Sequence, residues 1–244
     1  MTTYVLVHGA WGGAHGFRKV RPLLIAAGHE VSTPALTGIG ERSHLASPQV
    51  NLTTHIQDVV NVIWYHDLHD IVLLGFSYGG MVVTGAVSQV ADRVRHLVYL
   101  DAFRPDDGQS LYDLTGQPGG PVLGLGEQWL VPAPLPGTVL PTGATADYED
   151  PAEAAFSGPR RTPHPRACFT EPVRLPQPLE NYSFSRTYIK ATEGGSPGPG
   201  GNAFWTAAER AKSSPAWGYR EIATNHMVPA NRPGELAAML LELG

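Results

Sequence analysis

The sequence predicts an α/β fold: a mostly parallel sheet of about six strands with helices on both faces and an inserted cap. Three observations carry this reading. Short apolar runs alternate with amphipathic stretches through the first hundred residues, the same alternation resumes after residue 186, and a proline-rich stretch separates the two blocks. Parallel strands need crossover helices, and a strand covered on both faces reads as an unbroken apolar run.

The elements follow in chain order. Residues 4–7 predict a strand ending at His8-Gly9; residues 17–27 predict a helix stopped by Gly28; residues 30–35 predict a second strand. After a polar loop, residues 52–65 have helical periodicity, with Thr53 and Thr54 as capping candidates. Residues 70–74 predict a fully buried strand, 81–90 an apolar helix and 96–100 a further strand. Between residues 102 and 185 lie 14 of the chain's 22 prolines. Proline removes an amide donor and fixes φ, so long helices and central strands are disfavoured there. Trp129, Phe156, Phe169, Tyr182 and Phe184 supply apolar anchors that structureless linkers lack, which favours a folded cap. A strand at 187–191, a Gly/Pro-rich loop at 194–201, a helix at 203–212, a strand at 219–223 and a terminal helix at 233–243 complete the chain. The organisation expected is a core of residues 1–101 and 186–244 with a Pro-rich cap at 102–185.

Composition narrows the function classes. The chain has 244 residues, 42% of them hydrophobic, enough for one sizeable core. Its 17 basic and 22 acidic residues give a net charge of −5 with no basic run, which argues against a nucleic-acid partner. The single cysteine, Cys168, rules out an intrachain disulfide and a multi-cysteine zinc cluster, and fits a reducing cytoplasm. The first residues carry no basic leader or cleavage site, and no apolar run approaches the roughly 18 residues of a membrane span. A soluble, unprocessed chain is expected, with no membrane partner. His66 and His69 with Asp67 and Asp70 mark a helix-to-strand turn without a third assembled ligand, so no metal site is expected there. The glycine-rich run His8-Gly9-Ala10-Trp11-Gly12-Gly13 is not Gly-x-Gly-x-x-Gly, and its tryptophan would obstruct a pyrophosphate, so no dinucleotide cofactor is expected either.

The chemistry lies elsewhere. Gly75-Phe76-Ser77-Tyr78-Gly79 places Gly-x-Ser-x-Gly at the junction of a buried strand and an apolar helix. Composition alone predicts about 0.16 accidental matches to that pattern, so its position carries more weight than the pattern itself. A serine forced onto so tight a turn is strained, and flanking side chains would collide unless Gly75 and Gly79 stand two residues either side. The helix that follows points its free amides and positive end at an oxyanion beside Ser77, with the Tyr78 amide as one donor. The loop after the first strand can bring a second donor, assigned to the Ala10 amide; His8 is read as supporting that loop by bonding local backbone. A general base must come from beyond the last strand. His226, in Thr224-Asn225-His226-Met227, sits there and can take the Ser77 proton and pass it to a leaving group.

Together these residues resemble the α/β-hydrolase superfamily, and within it the group of plant methyl-ester esterases and hydroxynitrile lyases. The resemblance runs through His8-Gly9-Ala10-Trp11, residues 22–31, the turn at Ser77, residues 97–106 and Asn225-His226-Met227. It implies a six-strand parallel sheet, a cap over the site, no cofactor, and hydrolysis of a small ester. It also implies an aspartate after the strand at 187–191, where this chain reads Thr192-Glu193-Gly194. Two acids stay open: Asp101, at the end of the strand after the Ser77 helix, and Glu193, on the usual strand. Asp101 is favoured because a short carboxylate on a buried strand end is held more rigidly. Gly9, Trp11 and Met227 stand where lyases of this group carry polar, thiol and lysine side chains, which favours hydrolysis over cyanide chemistry. A non-hydrolytic homologue, whether a biosynthetic cyclase or lyase or a small-molecule binding protein, is the alternative. The expected partner is a small, apolar or aromatic substrate bound by Trp11, Trp129 and Phe156, with Phe169 and Tyr78 nearby. The oligomeric state, a homodimer among the options, is not set by these residues.

Overall fold

The computed structural model describes residues 1–116, 128–134, 147–193 and 203–244. In chain order the strands are β1 (Thr3–Val7), β2 (Glu30–Ser32), β3 (Ile71–Phe76), β4 (Val94–Leu100), β5 (Leu130–Val131), β6 (His164–Pro165), β7 (Ser185–Ala191) and β8 (Gly218–Ile222). The helices are α1 (Arg21–Ala26), α2 (Leu52–Tyr65), α3 (Gly79–Val90), α4 (Leu111–Leu114), α5 (Pro151–Ser157), α6 (Ala167–Thr170), α7 (Ala203–Lys212), α8 (Val228–Asn231) and α9 (Pro233–Leu243).

Six strands form one sheet in the order β2-β1-β3-β4-β7-β8, and every neighbouring pair is parallel. β3 is buried along its whole length because helices cover both faces. On one face Ile56, Val59 and Ile63 of α2, Met81, Val83 and Val87 of α3, and Phe204 and Ala208 of α7 pack on the sheet. On the other, Leu24 of α1 and Leu236 and Leu240 of α9 do so. The order reverses at β1, which has β2 on one side and β3 on the other. A crevice opens outside the carboxyl ends of strands at such a switch point. The residues following β1 and β3, His8-Gly9-Ala10 and Ser77, lie at its mouth.

Three local expectations need correction. The first helix begins at Arg21 rather than Phe17, because Ala14–Phe17 closes a separate 3₁₀ turn; Pro22 then sits in the first helical turn, where no amide is needed. The second strand stops at Ser32, before Pro34, which has no donor for the ladder. The cap of α2 is Asn51, not Thr53 or Thr54. Its Oδ1 accepts from the Thr54 amide at 2.9 Å while the Thr54 hydroxyl accepts from the Asn51 amide, a reciprocal box. Thr53 instead gives its amide and hydroxyl to Glu171 at 2.8 and 2.7 Å.

Between β4 and β7 the longest helix among the described residues is α5, with seven residues. β5 and β6 make a short antiparallel ribbon, and Tyr112, Cys168, Phe169, Val173 and Phe184 join the core cluster of the α2/α3 face. The Gly/Pro-rich loop at 194–201 falls outside the described residues. Among the described residues no helix is long and apolar enough to cross a membrane.

Candidate active site

Ser77 follows β3 directly and has φ +57°, a left-handed conformation that a non-glycine residue adopts only where the surroundings impose it. The turn is tight enough to require its glycines. A Cβ on Gly75 would lie 2.6 Å from the Gly79 carbonyl oxygen, and one on Gly79 would lie 2.6 Å from that of Val7. Ser77 gives its amide to the Leu100 carbonyl at 3.2 Å, and its own carbonyl accepts from Gly80 and Phe103. The hydroxyl thus stands at the amino end of α3, a twelve-residue helix.

His226 arrives from the loop after β8. Asn231 and Met227 both bond the Asn225 side chain, and the Glu193 amide bonds the Thr224 carbonyl, which fixes the loop on either side of the histidine. The imidazole lies between the rings of Phe76 and Phe204, each with its centroid 4.9 Å away. Its Nε2 is 3.0 Å from Ser77 Oγ and its Nδ1 is 2.6 Å from Asp101 Oδ2. Asp101 closes β4 with φ +40° and gives its amide to the Ile189 carbonyl at 2.8 Å. Burial alone would push the Asp101 carboxyl up, but hydrogen bonds and charge from His226 and Lys190 outweigh it and hold it below the ordinary carboxylate range. Lys190 Nζ donates to Asp101 Oδ1 at 2.7 Å, and both side chains are 1% exposed. Sequence reasoning missed Lys190; the available signal was a lysine inside an otherwise buried strand, Thr187-Tyr188-Ile189-Lys190-Ala191. Glu193, the other candidate acid, is exposed, and only its amide reaches the His226 loop.

The Tyr78 amide follows Ser77 in the chain and Ala10 lines the same cleft as Ser77; among the described residues neither amide donates a hydrogen bond. Gly9 lets the first loop approach: a Cβ there would meet the Ser77 Cβ at 2.9 Å. His8 bonds the local backbone by donating from Nδ1 to the Gly9 carbonyl at 2.9 Å, and it also ties in the loop after β2 by accepting the Leu36 amide at Nε2 at 3.2 Å.

A cleft of about 740 Å³, open mouth included, lies over Ser77 and His226. Trp11 lines it, with φ +59° and its indole N–H bonded to the Val131 carbonyl at 3.1 Å. Trp129 and Phe156 are not among the lining residues. Trp129 is 38% exposed, and Phe156 is held by the guanidinium groups of Arg18 and Arg160 at 4.1 and 3.9 Å from its ring centre. Phe169 and the Tyr78 ring face inward instead, packing with His164 in the core. The inserted segment contributes Tyr148, Glu153, Ser157 and Arg161, a more polar wall than its aromatic content suggests.

One group of three described side chains could hold a metal ion: His55, His164 and Cys168, whose ligand atoms lie within 4.8 Å of one another. Its members are engaged in part, with His164 Nδ1 accepting the Trp11 amide at 3.3 Å while His164 Nε2 has no partner among the described residues. His55 donates from Nε2 to the Thr37 carbonyl at 2.7 Å and accepts the Tyr78 hydroxyl at Nδ1 at 3.0 Å, and burial pushes the Cys168 thiol up. At the exposed turn His69 bonds Asp67 at 3.0 Å, and Arg93 bonds both.

Burial lowers His8 and His55 from 6.5 to about 4, so both stay neutral in the fold well below the pH at which the unfolded chain protonates them. The unfolded state then binds more protons between those limits, so stability is present above pH 6.5 and drains away as pH falls towards 4. Each histidine is expected to contribute a slope of up to about 1.4 kcal/mol per pH unit. Tm measured between pH 7 and 5, above the carboxylate range, checks this; a flat Tm across that window contradicts it.

Comparison with known proteins identifies the family. The model of the alpha/beta hydrolase family matches residues 4–239. A relative from Nocardioides sp. named Carbendazim hydrolyzing esterase is 35% identical over the whole of both chains. Methylesterase 8 of Arabidopsis thaliana is 32% identical over 117 residues, 44% of this chain and 40% of that one. Among solved structures, an extracellular alpha/beta-hydrolase from a Paenibacillus species, described as sharing structural and functional homology with tobacco Salicylic Acid Binding Protein 2, superposes with a TM-score of 0.79. It is 26% identical and covers 100% of this chain and 99% of its own. With the family match spanning the sheet from β1 to α9, the chain belongs to the alpha/beta hydrolase family.

Proposed function

We propose that the protein is a serine hydrolase that cleaves a small carboxylic ester through an acyl-enzyme. The observation that carries the reading is the unbroken hydrogen-bonded series from Ser77 Oγ through His226 to Asp101, at 3.0 and 2.6 Å. In it His226 Nε2 takes the Ser77 proton as the oxygen attacks the ester carbonyl, and Asp101 holds the Nδ1–H tautomer and stabilises the imidazolium. The Ala10 and Tyr78 amides, with no competing acceptor among the described residues, bind the developing oxyanion. His226 then protonates the leaving alcohol, and water reverses the sequence to release the acid. The relatives named Carbendazim hydrolyzing esterase and Methylesterase 8 support an ester substrate. The non-hydrolytic alternative rests on the unsettled choice of acid between Asp101 and Glu193; the 2.6 Å contact from Asp101 to His226 supports hydrolysis over it. A cytoplasmic place of action is part of the same reading and rests on the lone, buried Cys168.

A fluorophosphonate probe tests the nucleophile directly, because it needs an activated serine to displace fluoride. One equivalent of label on the peptide containing Ser77, with parallel loss of turnover on an aryl acetate, is the expected result. Turnover that survives complete labelling, or label on another residue, overturns the reading.

A further inference from the structure

The titratable side chains of the cleft, taken in turn, leave one cation without a use. His8 has both ring nitrogens bonded to backbone, and His15 pairs with Glu41 at 2.9 Å. Glu153 accepts from Arg18, Lys19 and Ser157, and His226 belongs to the Ser77 series. The Tyr148 phenol bonds Ser157. Arg161 alone has no side-chain hydrogen bond or ion pair among the described residues. Its backbone is nonetheless tied to the reacting region: the next amide, that of Thr162, donates to the Trp11 carbonyl at 2.9 Å, one residue beyond Ala10. Burial lowers the guanidinium's affinity for its proton and the neighbouring Tyr148 phenol only partly opposes this, which leaves a half-buried cation without a carboxylate partner among the described residues.

We propose that Arg161 forms an anion subsite and that the preferred substrate is an ester bearing a carboxylate remote from the scissile bond. The proposal rests on the hydrolase reading and extends it to substrate class. A guanidinium receives a carboxylate through two parallel N–H···O bonds, a charge-assisted pair that fixes orientation as well as affinity. A carboxylate seated there aligns the ester carbonyl with the adjoining Ala10 amide.

The test uses two activated esters of matched length, p-nitrophenyl hexanoate and mono-p-nitrophenyl adipate, whose carboxylate is too far away to cleave its own ester, with wild type, Arg161→Met and Arg161→Lys. The ratio of kcat/KM for the anionic over the neutral ester is expected to fall about 10- to 100-fold in Arg161→Met, chiefly through KM, and less in Arg161→Lys. A ratio unmoved by Arg161→Met overturns the subsite. Should wild type turn over neither ester, the hydrolase reading fails separately, and calorimetry with glutarate decides the subsite: binding lost in Arg161→Met supports it, and no binding to wild type overturns it.

A second inference comes independently from the buried lysine. Asp101 has two carboxylate oxygens; Oδ2 faces His226 and Oδ1 receives Lys190 Nζ, which also bonds the Ala191 carbonyl and lies 4.5 Å from the Trp205 ring centre. The titratable groups around this pair are His226 after β8, Tyr219 on β8 and Tyr188 on β7, with Tyr188 donating to backbone carbonyls at Ala102 and Phe204. We infer that Lys190 is a positioning residue that fixes the Asp101 carboxylate for its bond to His226. In Lys190→Met kcat is expected to fall about 10-fold with KM changed less than about twofold, because the lysine touches the acid and not the substrate, whereas a general structural loss moves both. Lys190→Gln, which keeps a donor to Asp101 Oδ1, is expected to recover part of that kcat and gives the readout if the methionine variant folds poorly. A folded variant with kcat unchanged, or with KM changed as much as kcat, overturns the inference.

Discussion

Ser77→Ala is expected to lower kcat/KM on an activated aryl ester by about four to six orders of magnitude, with a folded protein left behind. The size follows from where the hydroxyl stands. It lies 3.0 Å from His226 Nε2, at the amino end of α3, so in the proposed mechanism its removal takes away the bond-forming atom while leaving the proposed oxyanion donors, the Ala10 and Tyr78 amides, in place. Its role in folding is small, since among the described residues its hydroxyl bonds only His226 Nε2 and the turn is held by backbone bonds from Ser77 to Leu100, Gly80 and Phe103. Ser77→Gly makes the complementary case. At φ +57° any side chain costs conformational energy, so the glycine variant is expected to be as inactive as the alanine variant but more thermostable, by about 1 kcal/mol. Activity retained within tenfold in either variant, with the protein purified free of host esterase, refutes Ser77 as nucleophile. A glycine variant less stable than the alanine variant refutes strain at the turn.

Much of this site can be read in the sequence because its parts are short and local. Strand, glycine, serine, glycine and apolar helix lie within a dozen residues, and the steric demand that selects Gly75 and Gly79 acts between near neighbours. His226 is legible for a similar reason: a polar loop bounded by a strand and a closing helix leaves few places for the side chain. Partners that depend on register across the sheet are harder to see. Lys190 meets Asp101 only because β7 lies beside β4 with Leu100 opposite Ile189, which sets the following residue on each strand side by side. A buried lysine one residue from the end of an apolar strand is a flag, but it does not name its counter-ion. The cleft wall is hardest, because the aromatic residues of the inserted segment are attractive ligand contacts by composition alone. Phe156 spends its ring on two arginines and Phe169 on the core, whereas Glu153, Ser157 and Arg161 reach the cleft. Which side of a short helix or turn faces a cavity depends on packing between distant segments, and no periodicity of four to seven residues encodes it.

The two candidate acids separate sharply under substitution. Asp101→Asn keeps shape and volume but replaces an acceptor facing His226 with an amide that can present N–H to Nδ1. This selects the tautomer with Nε2 protonated, in which the ring can no longer accept the Ser77 proton. At neutral pH kcat is expected to fall about 10³- to 10⁴-fold with a smaller change in KM, since the acid touches the base and not the substrate. The same substitution leaves Lys190 with an amide oxygen in place of a carboxylate, a buried cation without its counter-charge, so a loss of about 3–5 kcal/mol in stability is expected alongside. The kinetic comparison must therefore be made well below the variant's Tm, on protein shown to be folded. Glu193→Gln is expected to change kcat less than threefold, because its carboxylate is exposed and only its amide supports the loop that carries His226. The reverse pattern, a crippled Glu193→Gln beside a near-normal Asp101→Asn, would move the acid to β7 and make the 2.6 Å contact between Asp101 and His226 a structural one.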